Sequence, residues 1–198
     1  VDAGARVVCL DLNADAAARV AESAGCDSGA LNFCDSAAVT AAFDAVAATY
    51  GGLDIVICTP GVNVRKPMLK YTDEEAQKVI DVNLKGMYLI TRAVLPHMVA
   101  AGGGSIVNIS SGAAIGPGRG PYDDKTVRGG VMYGATKAAL ERFTQGLAQE
   151  VAQYDGISVT AVSPSQVVPT PGTIHHKLVT GVDDPKGEHP IMMAKAAL

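Results

Sequence analysis

Tyr133 and Lys137 stand four residues apart in the run Tyr133-Gly134-Ala135-Thr136-Lys137. On a helix, positions i and i+4 share a face, which brings the lysine ammonium near the phenol. A neighbouring cation favours phenolate and draws a pKa of about 10 toward working pH. Tyr133 is therefore a candidate general acid/base. Taken alone, such a pair is more often an ordinary surface contact. Ser110 and Ser111 add to it, because they stand at the carboxyl end of the apolar run SIVNIS. Asp11 closes an earlier run, VVCLDL, where a carboxylate can hydrogen-bond the ribose hydroxyls of a dinucleotide. Each residue also has a local alternative. Asp11 can cap the helix that follows, Ser111 can open a turn, and Asn83 can bend a helix.

The elements that must position these residues follow from periodicity and punctuation. Strands are predicted at Arg6–Leu10, Ala30–Phe33, Asp54–Cys58, Ser105–Ser110 and Ile157–Ser163, and helices at Ala14–Ala24, Ser36–Tyr50 and Val131–Tyr154. Asp35 or Ser36 is the expected N-cap of the second helix. The capping-box pattern Thr72-Asp73-Glu74-Glu75 opens a long helical segment running to about Met98. Apolar strands separated by helix-length segments indicate a parallel sheet covered on both faces, a doubly wound α/β fold. No linker or internal repeat divides the chain, so residues 1–198 read as one domain. After Pro169 the alternation stops, and a loop with short helices is expected over one end of the sheet. Ligands in such folds sit beyond the carboxyl ends of the strands.

Taken together, CLDL, DIVICTPG, DVNLKG, GSIVNISS, YGATK and VTAVSPSQVVPT, in this order, resemble the short-chain dehydrogenase/reductase family. The resemblance implies a Rossmann-like fold and hydride transfer between NAD(H) and a secondary alcohol or ketone. Tyr133 would donate and accept the substrate proton. Lys137 would hold the nicotinamide ribose and lower the tyrosine pKa. Ser111 would hydrogen-bond the substrate oxygen, and Asn83 would help hold a water in the proton relay. Asp11 would bind the adenosine ribose diol and disfavour a 2′-phosphate, giving NAD over NADP. Asn32 and Phe33 would lie near the adenine. Thr59, Gly61, Pro164, Val167 and Thr170 fall at other cofactor-lining positions, and residues 170–198 at the substrate lid. A homodimer or homotetramer is expected on the same analogy.

The chain departs from the family's pattern in several places. The family's first strand and TGxxxGxG turn are expected before Arg6 and have no counterpart there, and the family's last strand has none after Leu198. Ser111–Gly118 has the glycine spacing of a phosphate cradle. However, Pro117 and the polar GRGPYDDK run that follows open no amphipathic helix, so no helix N-terminus faces a pyrophosphate. Cys58-Thr59-Pro60-Gly61 replaces the usual NNAG, and Ser165 stands where a glycine is usual. The stretch from Ser111 to Tyr133 is longer than usual. Its loop 116–130, with Arg119, Asp123, Asp124, Lys125 and Arg128, either shapes substrate access or is simply solvated. Tyr122 lies nearer Ser111, but its closest lysine, Lys125, is at i+3, and no helix pattern surrounds it. His175-His176 invites a metal reading that adjacent, divergent side chains without a third ligand do not support. Ile174, Leu178 and Met192 in the lid suggest an apolar part of the substrate.

Composition narrows the function classes. A net charge of −4 over 198 residues, without a basic run, gives no support to a nucleic-acid partner. Zero Trp and 3 Phe leave little for base stacking. The apolar runs are strand-sized, so no membrane span is expected, and the opening residues carry no signal-peptide pattern. The 4 cysteines, Cys9, Cys26, Cys34 and Cys58, lack CxxC spacing. Free thiols in a reducing, cytoplasmic compartment are expected, with no metal. The competing class is a dinucleotide-binding or scaffolding protein that kept the fold and lost turnover, a reading the altered NNAG turn favours.

Overall fold

The computed structural model describes residues 4–117, 120, 122 and 129–197. In chain order the elements are β1 (Val8–Asp11), α1 (Ala14–Ala24), β2 (Asp27–Ala30), α2 (Ser36–Tyr50) and β3 (Ile55–Cys58). They continue with α3 (Asp73–Ile80), α4 (Gly86–Ala101), β4 (Gly104–Ile109), α5 (Val131–Val151), β5 (Ile157–Val162), α6 (Pro171–His175) and α7 (Pro190–Ala197). All strand pairs are parallel, and helices alternate with strands. The doubly wound α/β class holds.

Helix starts follow the capping chemistry of the sequence. The Asn13 side chain accepts from Ala16 N–H, and the Asp35 side chain accepts from Ala37 and Ala38 N–H. Thr72 and Glu75 form the reciprocal capping box that opens α3. Gly102 ends α4 at φ 76, where its N–H reaches the Met98 and Val99 carbonyls.

Three expectations need correction. The segment from Thr72 onward is not one regular helix, because Asp81–Lys85 forms a π-helical turn between α3 and α4. The second strand is Asp27–Ala30 rather than Ala30–Phe33. Beyond it the Asn32 side chain accepts from Cys34 N–H, and this local turn takes the chain out of the ladder. Among the described residues β1 pairs with β2, and β4 pairs with both β3 and β5. Strand β3 is covered on one face only: Val56 and Cys58 are buried, while Ile55 and Ile57 are 57% and 44% exposed.

The core lies between β3–β4–β5 and helices α2, α4 and α5, with Val39, Phe43, Ile90, Val94, Met98, Ile106 and Leu140 at its centre. It fixes β4, whose carboxyl end carries Ser110 and Ser111. Ile106 on this middle strand is fully buried, so Ile106→Ala should cost about 2–5 kcal/mol in urea unfolding. A loss below about 1 kcal/mol would mean that the central sheet does not carry the fold.

Candidate active site

Helix α5 carries Tyr133 in its first turn and Lys137 one turn later. It is stitched to β4 along one face. Lys137 Nζ donates to the Ile109 carbonyl at 2.7 Å, Ser110 Oγ donates to Glu141 Oε1 at 2.6 Å, and Asn108 Nδ2 donates to Thr144 Oγ1 at 2.9 Å. Positions 137, 141 and 144 follow the i, i+4, i+7 spacing of a single helix face. The lysine is thereby held over the strand end, and its Nζ lies 5.8 Å from the centroid of the Tyr133 ring.

Ser111 approaches the same point from β4. Its Oγ accepts from Ala113 N–H at 3.2 Å and caps a single 3-10 turn, Gly112–Ala114. That turn packs on the start of α5. A Cβ on Gly134 would lie 2.9 Å from the Ala113 carbonyl oxygen, so the YGATK glycine is what permits this approach. Gly118, Arg119, Asp123, Asp124, Lys125 and Arg128 lie outside the described residues.

Asn83 sits in the π-helical turn and is fully buried. Its Oδ1 accepts from Val62 N–H at 2.8 Å, and its Nδ2 donates to the Val62 carbonyl at 2.9 Å and to Thr136 Oγ1 at 3.1 Å. Both amide donors are thus used. Thr136 Oγ1 in turn donates to the Tyr133 carbonyl at 2.8 Å. One buried amide therefore joins the segment after β3, the π-turn and the tyrosine turn of α5. Gly61 completes the enclosure, since a Cβ there would lie 3.6 Å from Lys137 Nζ and 3.8 Å from Asn83 Oδ1. Tertiary structure therefore brings Asn83, Gly61, Ser111, Tyr133 and Lys137 to one strand-end cluster. Sequence reasoning missed Thr136 and Cys58. The threonine inside YGATK was a signal in hand, but its partner is 53 residues away.

Lys137 is 3% exposed, and burial lowers its pKa to about 8. Cys58 lies in the same buried region, and its thiol is pushed up to about 12, again by burial, with the lysine charge pulling the other way. The ammonium keeps its proton at neutral pH but is poised close to losing it.

The remaining positions lie along the same strand ends. Asp11 is exposed, and its Oδ1 accepts from Asn13 N–H at 2.8 Å, while the helix cap itself is Asn13. Asn32 is exposed, whereas Phe33 packs its side chain against the core. Leu12, Asn32, Asp73, Glu74, Lys78 and Asp81 line much of a cavity of about 670 Å3 beyond β1 and β2. Thr59 is exposed, and Pro164 and Val167 are half-buried. Thr170 caps α6 through a reciprocal pair with Thr173. Glu188 Oε2 accepts from Ser165 N–H at 3.1 Å and Gln166 N–H at 3.3 Å and also contacts Ser165 Oγ. The region after Pro169 is thereby tied to the turn after β5. A second depression, of about 520 Å3, lies on α5 around Arg142 and Phe143 and shares no residue with this cluster.

The buried lysine should be visible in stability. Its folded pKa of about 8 lies below the unfolded value, which is about 10.4. Between these values the unfolded chain binds more protons, so this group makes stability rise with pH across that window and contributes no slope below it. The rise is on the order of 3 kcal/mol at most. In urea unfolding across that window, the stability of the wild type relative to Lys137→Met should increase with pH. A flat difference would show that the ammonium is solvated.

Comparison with known proteins agrees with the geometry. The family model for short chain dehydrogenases matches residues 1–177. The chain is 34% identical over 190 residues to the D-threitol dehydrogenase of Mycolicibacterium smegmatis, covering 93% of this chain and 67% of that protein. An uncharacterized oxidoreductase of Staphylococcus aureus is 36% identical over 119 residues, 60% of this chain, and the match spans only 47% of that protein's length. Among solved structures, a gluconate 5-dehydrogenase from Burkholderia cenocepacia in complex with NADP and tartrate superposes with a TM-score of 0.82. It is 26% identical and covers 99% of this chain and 78% of its own. The chain belongs to the short-chain dehydrogenase family.

Proposed function

We propose that this chain carries the acid/base half of a dehydrogenase acting between a secondary alcohol and its ketone, with NAD(H) as cofactor. The observation that carries the reading is the convergence of Tyr133, Lys137, Ser111 and Asn83 at the carboxyl ends of β3 and β4. In the direction of oxidation, the Tyr133 oxygen takes the hydroxyl proton. The buried Lys137 ammonium stands on the same helix face, 5.8 Å from the centre of the phenol ring. Ser111 Oγ hydrogen-bonds the substrate oxygen, and Asn83 keeps the turn after β3 and the tyrosine turn in register for a relaying water. The nicotinamide, when bound, supplies the hydride acceptor or donor. The named relatives are dehydrogenases of hydroxyl-bearing compounds, D-threitol and gluconate, which supports the alcohol class.

The residues present fit a dinucleotide along the strand ends. Asp11 and Asn32 stand at the adenosine side by the cavity of about 670 Å3, with Phe33 beside them. Thr59, Gly61, Lys137, Pro164, Val167 and Thr170 stand at the nicotinamide side. Asp73, Glu74 and Asp81 make the cavity rim acidic, with Lys78 its one cationic lining residue among those described. That balance, together with Asp11, supports NAD, although the gluconate 5-dehydrogenase holds NADP. Residues 170–198, tethered through Glu188, serve as the substrate lid in this reading, with Ile174, Leu178 and Met192 as its apolar part. The working form is a cytoplasmic homodimer or homotetramer. Among the described residues no helix is long and apolar enough to cross a membrane.

Two experiments test the proposal in the native polypeptide that carries these residues. Tyr133→Phe should keep the fold and cofactor affinity and lower kcat by about 100-fold or more, the usual scale of general acid/base catalysis. Retention of more than a few per cent of kcat would move the role elsewhere, with Tyr122 examined first. No dehydrogenase activity in the wild type over a panel of secondary alcohols would favour the non-catalytic alternative, which the Cys58–Gly61 turn already suggests. For the cofactor, wild type should prefer NAD over NADP by kcat/KM, and Asp11→Ser should shrink that preference by removing like-charge repulsion. Equal use of both cofactors by wild type, or an unchanged ratio in the variant, would remove Asp11 from the ribose site.

A further inference from the structure

Cys9 and Cys26 bring their sulfurs to 3.7 Å of one another. Cys9 lies in the middle of β1, and Cys26 stands just before β2, at the exit from α1. Both are half-buried and free, so the pair is neither sealed in the core nor already joined. The backbone on both sides is pinned. Cys26 N–H donates to the Ala21 carbonyl at 3.0 Å, and the next residue, Asp27, donates to the Val7 carbonyl at 3.2 Å. Gly25 turns the chain out of α1 at φ 66, and Val8 and Cys9 are paired in register with Asp27 and Ser28. The remaining two cysteines are placed differently. Cys58 is buried beside Lys137, and Cys34 lies in the adenosine-side cavity.

A disulfide needs its sulfurs at about 2.05 Å. From 3.7 Å, the closing movement is small and is shared by two side chains on elements that the ladder already holds together. We infer that Cys9 and Cys26 form an oxidisable dithiol site, whose reagent is a small disulfide such as oxidised glutathione. One cysteine thiolate attacks a sulfur of the reagent, breaking its S–S bond, and a first reduced thiol leaves with a proton. The second cysteine, giving up its own proton, attacks the protein-bound sulfur of the mixed disulfide and expels the second reduced thiol. The protein sulfurs lose two electrons and the reagent gains two. Burial and the neighbouring Cys26 thiol hold the Cys9 pKa above the ordinary thiol value, so the exchange is slow near neutrality. Cys9 and Asp11 share a face of β1, being two residues apart. The site therefore lies one pleat from the carboxylate discussed above.

The test is exposure of the folded chain to millimolar oxidised glutathione, followed by alkylation of the remaining thiols under denaturing conditions. Intact mass should show the loss of two hydrogens, and the thiol count should fall from 4 to half that number. A non-reducing digest should join the Cys9 and Cys26 peptides, and dithiothreitol should reverse the change. Cys9→Ser and Cys26→Ser should each abolish the internal bond and hold one glutathione instead. If all thiols stay reduced, if the bond maps to Cys34 or Cys58, or if wild type stops at the glutathione adduct, the inference fails. It also fails if the bond forms only at urea concentrations that unfold the chain.

Discussion

Removing the Lys137 ammonium from water is a cost that the surrounding structure must offset, and the arrangement of the strand ends follows from how it does so. The charge is 3% exposed and has no carboxylate partner within ion-pair distance among the described residues. It donates a hydrogen bond to the Ile109 carbonyl, at 2.7 Å. Burial depresses its pKa, and a neutral acceptor offsets that cost less than a carboxylate would. It also leaves the charge uncompensated, so its field reaches the Tyr133 ring 5.8 Å away. A paired lysine would be more comfortable and would have less influence on the phenol.

That position is demanding because nothing local enforces it. The end of β4 must offer a carbonyl free of the sheet, so α5 has to lie along β4 closely enough to reach it. The neighbouring bonds from Ser110 to Glu141 and from Asn108 to Thr144 provide that alignment. Glycine at 134 lets the helix start sit against the turn after Ser111. Asn83 closes the other side, with one amide bonded to backbone from the β3 exit and to a hydroxyl of α5. Removing any of these members leaves a buried polar group unpaired, and this couples the site to the stability of the sheet.

Much of this was legible in the sequence where the physics is local. Asp35, and Thr72 with Glu75, cap helices as their spacing indicates, and SIVNIS and ISVTAV form strands within a residue of their apolar limits. The Tyr133–Lys137 pair meets on one helix face because i, i+4 geometry is intrinsic to the helix. What was not legible depends on distant partners. Asn83 bonding to Thr136 is a tertiary event across 53 residues, and no spacing rule reports it. The open face of Ile55 and Ile57 depends on what packs against the strand, which apolar runs do not encode. The second strand was placed too late because Leu31 and Phe33 are apolar for packing, while Asn32 already commits the chain to a turn.

The π-helical turn at Asp81–Lys85 acts as a phase shifter. Each π turn takes up roughly one more residue than an α turn, so side chains beyond it are rotated by about 100° relative to an uninterrupted helix. Val79 in α3 and Met87, Ile90 and Val94 in α4 are all buried on either side of this shift. Asn83 is the residue at the phase slip. It stands four residues from buried Val79 in α3 and four from buried Met87 in α4, so the amide takes a place on the inward face between two apolar side chains. Removing one residue from Asp81–Lys85 would rotate the buried side chains of α4 by about 100° relative to those of α3, so Val79 and Met87 could no longer keep their present places in the core together.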